Sequence, residues 1–203
     1  PPADFTVGLL TPTGGNQVDG MWNLTNSGMD IIIPVANDTT LKNGTVQLYG
    51  KVGSNSFEVL GSISTILSNE INANKIISVS STLIEGLTGF SEGQRIYVKA
   101  VMSDRPGNIT EGSQSINEIL IDETPASITP ISILSSNNNT ALAKVGDTVS
   151  VSFTTSENLI DTAATISGQN AIISSSNGNQ FVAVYVMDES DSEGVIEFEI
   201  SFI

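Results

Sequence analysis

The chain has 203 residues, room for one large or two ordinary domains, with 22 acidic residues against 7 basic ones and a net charge of −15. That balance leaves no basic footprint for nucleic acid and disfavours an anionic membrane surface. Cysteine and histidine are both absent, which removes disulfides, thiolate metal sites and the commonest general base; no enzymatic activity is expected.

Apolar residues make up 39% and aromatic ones only 5%, so a core must rest on Val, Ile, Leu and Ala. Branched side chains suit a pleated surface, and Ser, Thr, Asn and Gly favour turns over helices. An all-β chain is predicted.

Reading from the N-terminus, the longest apolar run, Met29-Asp30-Ile31-Ile32-Ile33-Pro34-Val35, is interrupted by charge and proline. It falls far short of the ~20 residues needed to span a bilayer, so no membrane insertion is expected. Strands are predicted over residues 45–51, 56–62 and 75–80, with a short helical stretch within 64–74 and a single turn over 82–87. In Arg95-Ile96-Tyr97-Val98-Lys99-Ala100-Val101-Met102, every second residue is apolar, the pattern of a strand buried on one face. Residues 116–121 and 128–134 are further strand candidates. Thr148-Val149-Ser150-Val151-Ser152-Phe153-Thr154 and Ile196-Glu197-Phe198-Glu199-Ile200-Ser201-Phe202 alternate cleanly, and residues 180–187 are apolar on both faces and expected to be central. Turn clusters such as Gly14-Gly15-Asn16, Asn43-Gly44, Pro106-Gly107-Asn108 and Asn137-Asn138-Asn139 punctuate these strands at sandwich-like intervals.

A boundary is expected at Asp122-Glu123-Thr124-Pro125, where proline prevents the preceding strand from continuing. It gives domains over residues 1–124 and 125–203, the first larger than usual for a sandwich and the second short. With Pro at position 1 and no leader segment, a fragment of a longer secreted chain is the expectation.

Asp104-Arg105-Pro106-Gly107-Asn108, Asp122-Glu123-Thr124-Pro125 and Lys144-Val145-Gly146-Asp147-Thr148-Val149 together resemble the bacterial immunoglobulin-like repeats of large surface and adhesin proteins. The resemblance covers roughly residues 95–203. It implies two tandem immunoglobulin-like β-sandwich domains in an extracellular, cell-surface protein of structural or adhesive role. The expected partners are neighbouring repeats, copies of the chain itself, or a surface glycan or protein. Such repeats sometimes stiffen their junctions with Ca²⁺, which takes 6–8 oxygen ligands. Asp104, Asn108, Asp122 and Glu123 are the candidate calcium ligands, provided the turn after residue 103 lies beside the linker. The plainer alternative is that Asp104 and Asn108 build a turn and Asp122 caps the linker.

Asp188-Glu189-Ser190-Asp191-Ser192-Glu193-Gly194 lacks the spacing of a calcium loop and reads as a solvated hairpin tip. Five sequons begin at Asn23, Asn37, Asn43, Asn108 and Asn138. Trp22, the lone tryptophan, is expected in the core, although an exposed Trp could stack on a sugar. Two other readings stay open: a carbohydrate-binding module, which needs an exposed aromatic row, and a subunit that assembles by completing an open sheet edge with a neighbour's strand.

Overall fold

The computed structural model describes residues 1–157, 159, 161–176 and 178–202. The chain is nearly all β, and it divides into two compact units, Pro1–Thr124 and Pro125–Ile203.

Unit 1 faces two sheets onto one core. The smaller has the order β1 (Leu10–Thr13), β3 (Gly28–Val35), β6 (Ala73–Ser80), all antiparallel. The larger runs β2 (Met21–Trp22), β9 (Ile119–Ile121), β7 (Arg95–Ser103), β4 (Thr45–Val52), β5 (Glu58–Thr65), with β8 (Ile109–Glu111) also paired to β7. Only the β2–β9 pair is parallel. The period-2 pattern of the sequence is what closes the two layers. Ile31 and Ile33 of β3, Val46 and Leu48 of β4, and Ile96 and Val98 of β7 join a single buried cluster. Their polar neighbours face outward, as alternation along a pleated strand requires. The run over residues 29–35 is thus the central strand of the smaller sheet. Its Pro34 sits near the strand end, opposite Asn74, where one lost ladder donor matters least.

The only α-helix is α1 (Ser81–Glu85), a single turn, and a 3-10 turn covers Ser68–Glu70 among the described residues. In the Gly14-Gly15 turn both residues take positive φ, 78° and 58°, a conformation that costs a side-chain-bearing residue a Cβ clash.

Unit 2 pairs a four-stranded antiparallel sheet, β10 (Ile128–Ser135), β11 (Thr148–Thr155), β15 (Gln180–Val186), β14 (Ile172–Ser176), with a second sheet, β13 (Gln169–Asn170), β12 (Ala163–Ile166), β16 (Phe198–Ser201). Its own core contains Val149, Val151 and Phe153 of β11, Ala164 and Ile166 of β12, and Phe181 and Ala183 of β15. Phe153 and Phe181 stack at 5.2 Å between ring centroids. The β15 segment lies between two neighbours, as its two apolar faces predict. β12 and β13 form a hairpin whose two-residue turn, Ser167-Gly168, has positive φ at both positions, the geometry that matches strand twist.

Candidate functional site

Asp104 follows β7 directly and is buried. Its Oδ1 accepts from the Asn108 backbone N–H at 2.7 Å and its Oδ2 from the Asn108 side-chain amide at 2.8 Å. Gly107 N–H donates to the Asp104 carbonyl, closing the turn. Hydrogen bonds to the charged form, the Asn108 side chain first, hold this carboxyl below its usual range. Both of its oxygens are therefore committed to building the turn.

Asp122 and Glu123 lie elsewhere. β9 pairs with β7 through Leu120 opposite Arg95, so the chain leaves β9 at the start of β7 while Asp104 sits beyond its end. At about 3.3 Å per residue the two pairs are roughly 30 Å apart. Extended strands carry the four predicted calcium ligands to opposite ends of unit 1, and they form no common set. Among the described residues no three carboxylates gather so as to hold a metal ion. The residues do not fit a calcium site built from Asp104, Asn108, Asp122 and Glu123.

What surrounds Asp122 and Glu123 is an acidic end. The Asp122 N–H donates to the Trp22 carbonyl at 2.8 Å, and the Glu123 N–H to Glu92 Oε2 at 2.7 Å. Burial, then the neighbouring Glu92 charge, push the Asp122 carboxyl up; burial, then Glu85 and Glu92, do the same to Glu123. Trp22 Nε1 is buried with no hydrogen-bond partner, yet it lies near enough to Glu123 to favour that carboxylate's charged form slightly. A carboxyl whose folded-state pKa is raised binds protons more readily in the native state than in the unfolded chain. Stability from this group is then present at low pH and lost as pH rises from 3.8 through the raised value. Asp122→Asn is expected to raise the unit 1 melting temperature at pH 7 and to leave it little changed at pH 3. Melting at several pH values by tryptophan fluorescence checks this, and a lower midpoint at pH 7 would count against it.

The outer face of the larger sheet carries a different cluster. Register places Tyr49 opposite Lys99 and Lys51 opposite Tyr97, so aromatic and cationic side chains alternate like a checkerboard. Lys51 Nζ lies 5.0 Å from the centroids of both Phe57 and Tyr97, and Lys99 Nζ lies 4.8 Å from Phe57 and 5.8 Å from Tyr49. Lys99 also pairs with Glu111 at 2.7 Å. Such contacts stabilise by about 0.5–1 kcal/mol each at partly exposed positions. Composition gave no hint of this cluster; the signal was Tyr-x-Lys at 49–51 and again at 97–99, on two strands of the same period.

The motif beginning at Lys144 has a plain structural role. Asp147 Oδ2 accepts from the Asn137 side-chain amide at 2.7 Å and from the Lys144 N–H at 2.9 Å, tying the Asn-rich turn to the start of β11. The acidic loop after β15 is organised internally: Asp188 Oδ1 accepts from Ser190 N–H and Oγ–H, and Asp191 Oδ2 from the Asp188 N–H. Burial, with the Asp188 and Asp191 charges behind it, pushes the Tyr185 hydroxyl up to about 12. Trp22 is fully buried and meets Phe90 edge to face at 6.5 Å.

No family model and no curated protein matches the chain. Among solved structures it is similar to a chicken TCR, at 12% identity and a TM-score of 0.33, over 92% of this chain and 91% of that one. So distant a likeness carries no functional weight, and the all-β assignment rests on the sheets themselves. No helix is long and apolar enough to cross a membrane among the described residues.

Proposed function

We propose that the chain is a structural or adhesive segment of an extracellular surface protein, two immunoglobulin-like sandwiches acting as acidic spacer modules. The observation that carries this reading is the junction: one compact unit ends at Thr124 and the next begins at Pro125. Only residues 122–127 separate β9 from β10, and modules joined by so short a connection suit a load-bearing array, in which each sandwich resists extension through its own strand ladders. A net charge of −15 keeps such modules soluble and apart. The four-plus-three antiparallel strands of unit 2 support the immunoglobulin-like assignment. The carbohydrate-binding alternative asks for open ring faces, whereas Tyr49, Phe57 and Tyr97 each hold a lysine ammonium over a face. The spacer reading is therefore preferred.

Pulling the chain from its two ends in a single-molecule force experiment should give two separate unfolding steps. At ~3.6 Å per extended residue, less the folded span, the gains should be roughly 40 nm and 25 nm. They correspond to residues 1–124 and 125–203. Smooth extension without force peaks would rule out a load-bearing role.

A further inference from the structure

Cations are scarce in this chain, and they are unevenly placed. Of 7 basic residues, Lys75 is buried against Glu70, while Lys51, Lys99 and Arg95 share the outer face of the larger sheet of unit 1. Register fixes this: Lys51 stands opposite Tyr97 and Lys99 opposite Tyr49, and Arg95 precedes Tyr97 by two residues on β7. Directly opposed residues of an antiparallel pair share a face. Val59 of β5, opposite Tyr49 and 62% exposed, therefore belongs to the same surface.

Two of these cations have internal partners, Arg95 with Glu118 at 2.8 Å and Lys99 with Glu111 at 2.7 Å. Lys51 differs. In a chain with 22 acidic residues it has no carboxylate partner among the described residues. Phe57 and Tyr97 instead hold its ammonium 5.0 Å from each ring centroid. A half-buried cation fixed between two rings, with no counter-ion of its own, is prepared to receive a carboxylate from outside. Aromatic side chains around it are what the buried centre of a protein interface favours.

At net −15, two copies of the chain repel over most of their surfaces. Contact between copies is thereby confined to places where the sign reverses, and this face holds three of the seven cations. The complementary surface is the loop after β15. Asp188 and Asp191 commit their carboxylates to bracing the loop itself. Glu189 and Glu193 are exposed and have no partner among the described residues. Val195, two residues beyond Glu193, is 92% exposed. A loop braced in this way has little freedom left to lose on binding.

We infer that the outer face of the larger sheet docks a second copy of the chain through that copy's acidic loop. Glu189 and Glu193 of the second copy meet Lys51 and Lys99, and its Val195 lies against Val59 and Tyr49. The spacing agrees. Both ammonium groups lie within 5.0 Å of the Phe57 centroid, so they stand no farther apart than twice that distance. The two glutamates, four residues apart, span at most roughly 14 Å of chain. Lys99 keeps donors to spare beside its bond to Glu111, because an ammonium carries three. So small a contact falls below the ~1,200 Å² of stable complexes, and the association is accordingly weak. It holds whether or not the chain bears load.

Sedimentation equilibrium of the full chain tests this, at about 0.15 M salt, where long-range repulsion is screened beyond ~8 Å. From about 10 µM to about 1 mM, the weight-average mass should climb above that of the single chain. Lys51→Glu and Glu193→Lys should each weaken association at least about tenfold. An equimolar mixture of the two variants should associate more tightly than either alone, since the reversed charges meet only across unlike copies. Glu193 lies in an exposed loop, so Glu193→Lys should move the melting midpoint by no more than about 3 °C and reads the contact even where Lys51→Glu disturbs unit 1. A chain that stays monomeric at about 1 mM would overturn the proposal. So would association that Glu193→Lys leaves unchanged, which would give the face to a different occupant.

Discussion

Replacing Trp22 with alanine is expected to destabilise unit 1 by about 3–5 kcal/mol, the cost of removing a large, fully buried aromatic side chain from a core that cannot collapse onto the space. Trp22 heads the fully buried side chains of the molecule and belongs to the same cluster as Ile121, the residue it stands opposite in the parallel β2–β9 pair. β2 is only two residues long, so its attachment depends on this side chain far more than on its few ladder bonds. The edge-to-face contact with Phe90 would be lost as well. Trp22→Phe forfeits volume and only the slight influence of the indole N–H on Glu123, and should cost only roughly 1–2 kcal/mol. Circular dichroism during urea unfolding reads both variants. The unit 2 transition should stay in place, and a wild-type-like curve for Trp22→Ala would remove Trp22 from the core.

Much of the fold could be read from residue patterning. The alternation over residues 95–102 and 148–154 became β7 and β11 with their apolar sides buried. Where a strand is half-wet, one face must be apolar and the other polar, and the sequence records that directly. Other strands left weaker marks. β3 looked like an interrupted apolar run because Asp30 and Pro34 occupy its outward positions and Ile32 sits there as well, masking the period. β12 and β13 are short, and their clearest signal was the Ser167-Gly168 dipeptide rather than any hydrophobic pattern.

The candidate site was far less legible, for a physical reason. The resemblance to calcium-stiffened repeats suggested grouping Asp104 and Asn108 with Asp122 and Glu123, provided the turn lay beside the linker, but the long strand β7 stands between the ends they occupy. Proximity across strands, by contrast, assembled groups that linear reading separates. Glu92 meets Asp122, and Lys51 meets Tyr97, only because of strand register. Lys75 is the sharpest case. It occupies an inward position of β6 between two exposed neighbours, Asn74 and Ile76, where its charge alone would place it in solvent.

Lys75→Ala is expected to cost unit 1 about 3–5 kcal/mol, because it strands a partly buried carboxylate. The Lys75 side chain is 6% exposed and that of its partner Glu70 is 17% exposed. Lys75 Nζ donates to both Glu70 carboxylate oxygens at 3.0 Å and to the Thr65 carbonyl at 3.0 Å. Glu70 Oε2 also accepts from the Leu67 N–H at 2.7 Å, so the pair pins the turn after β5 to the edge of β6. Removing the ammonium leaves Glu70 with one donor and the Thr65 carbonyl without its lysine partner. The penalty therefore comes from the groups left behind more than from the lost attraction. Two further variants separate these effects. Glu70→Ala with Lys75→Ala should cost clearly less than the two single changes summed, a coupling that a double-mutant cycle reads. Glu70→Gln with Lys75→Met, which keeps volume and removes both charges, should be nearly neutral. The coupling should also change little as salt is raised, since a buried pair is poorly screened. Fluorescence of the single tryptophan follows unit 1 alone in these measurements, because Trp22 lies within it. Additive single-variant costs would show that Lys75 and Glu70 act independently, and would reduce the contact to two separately anchored side chains.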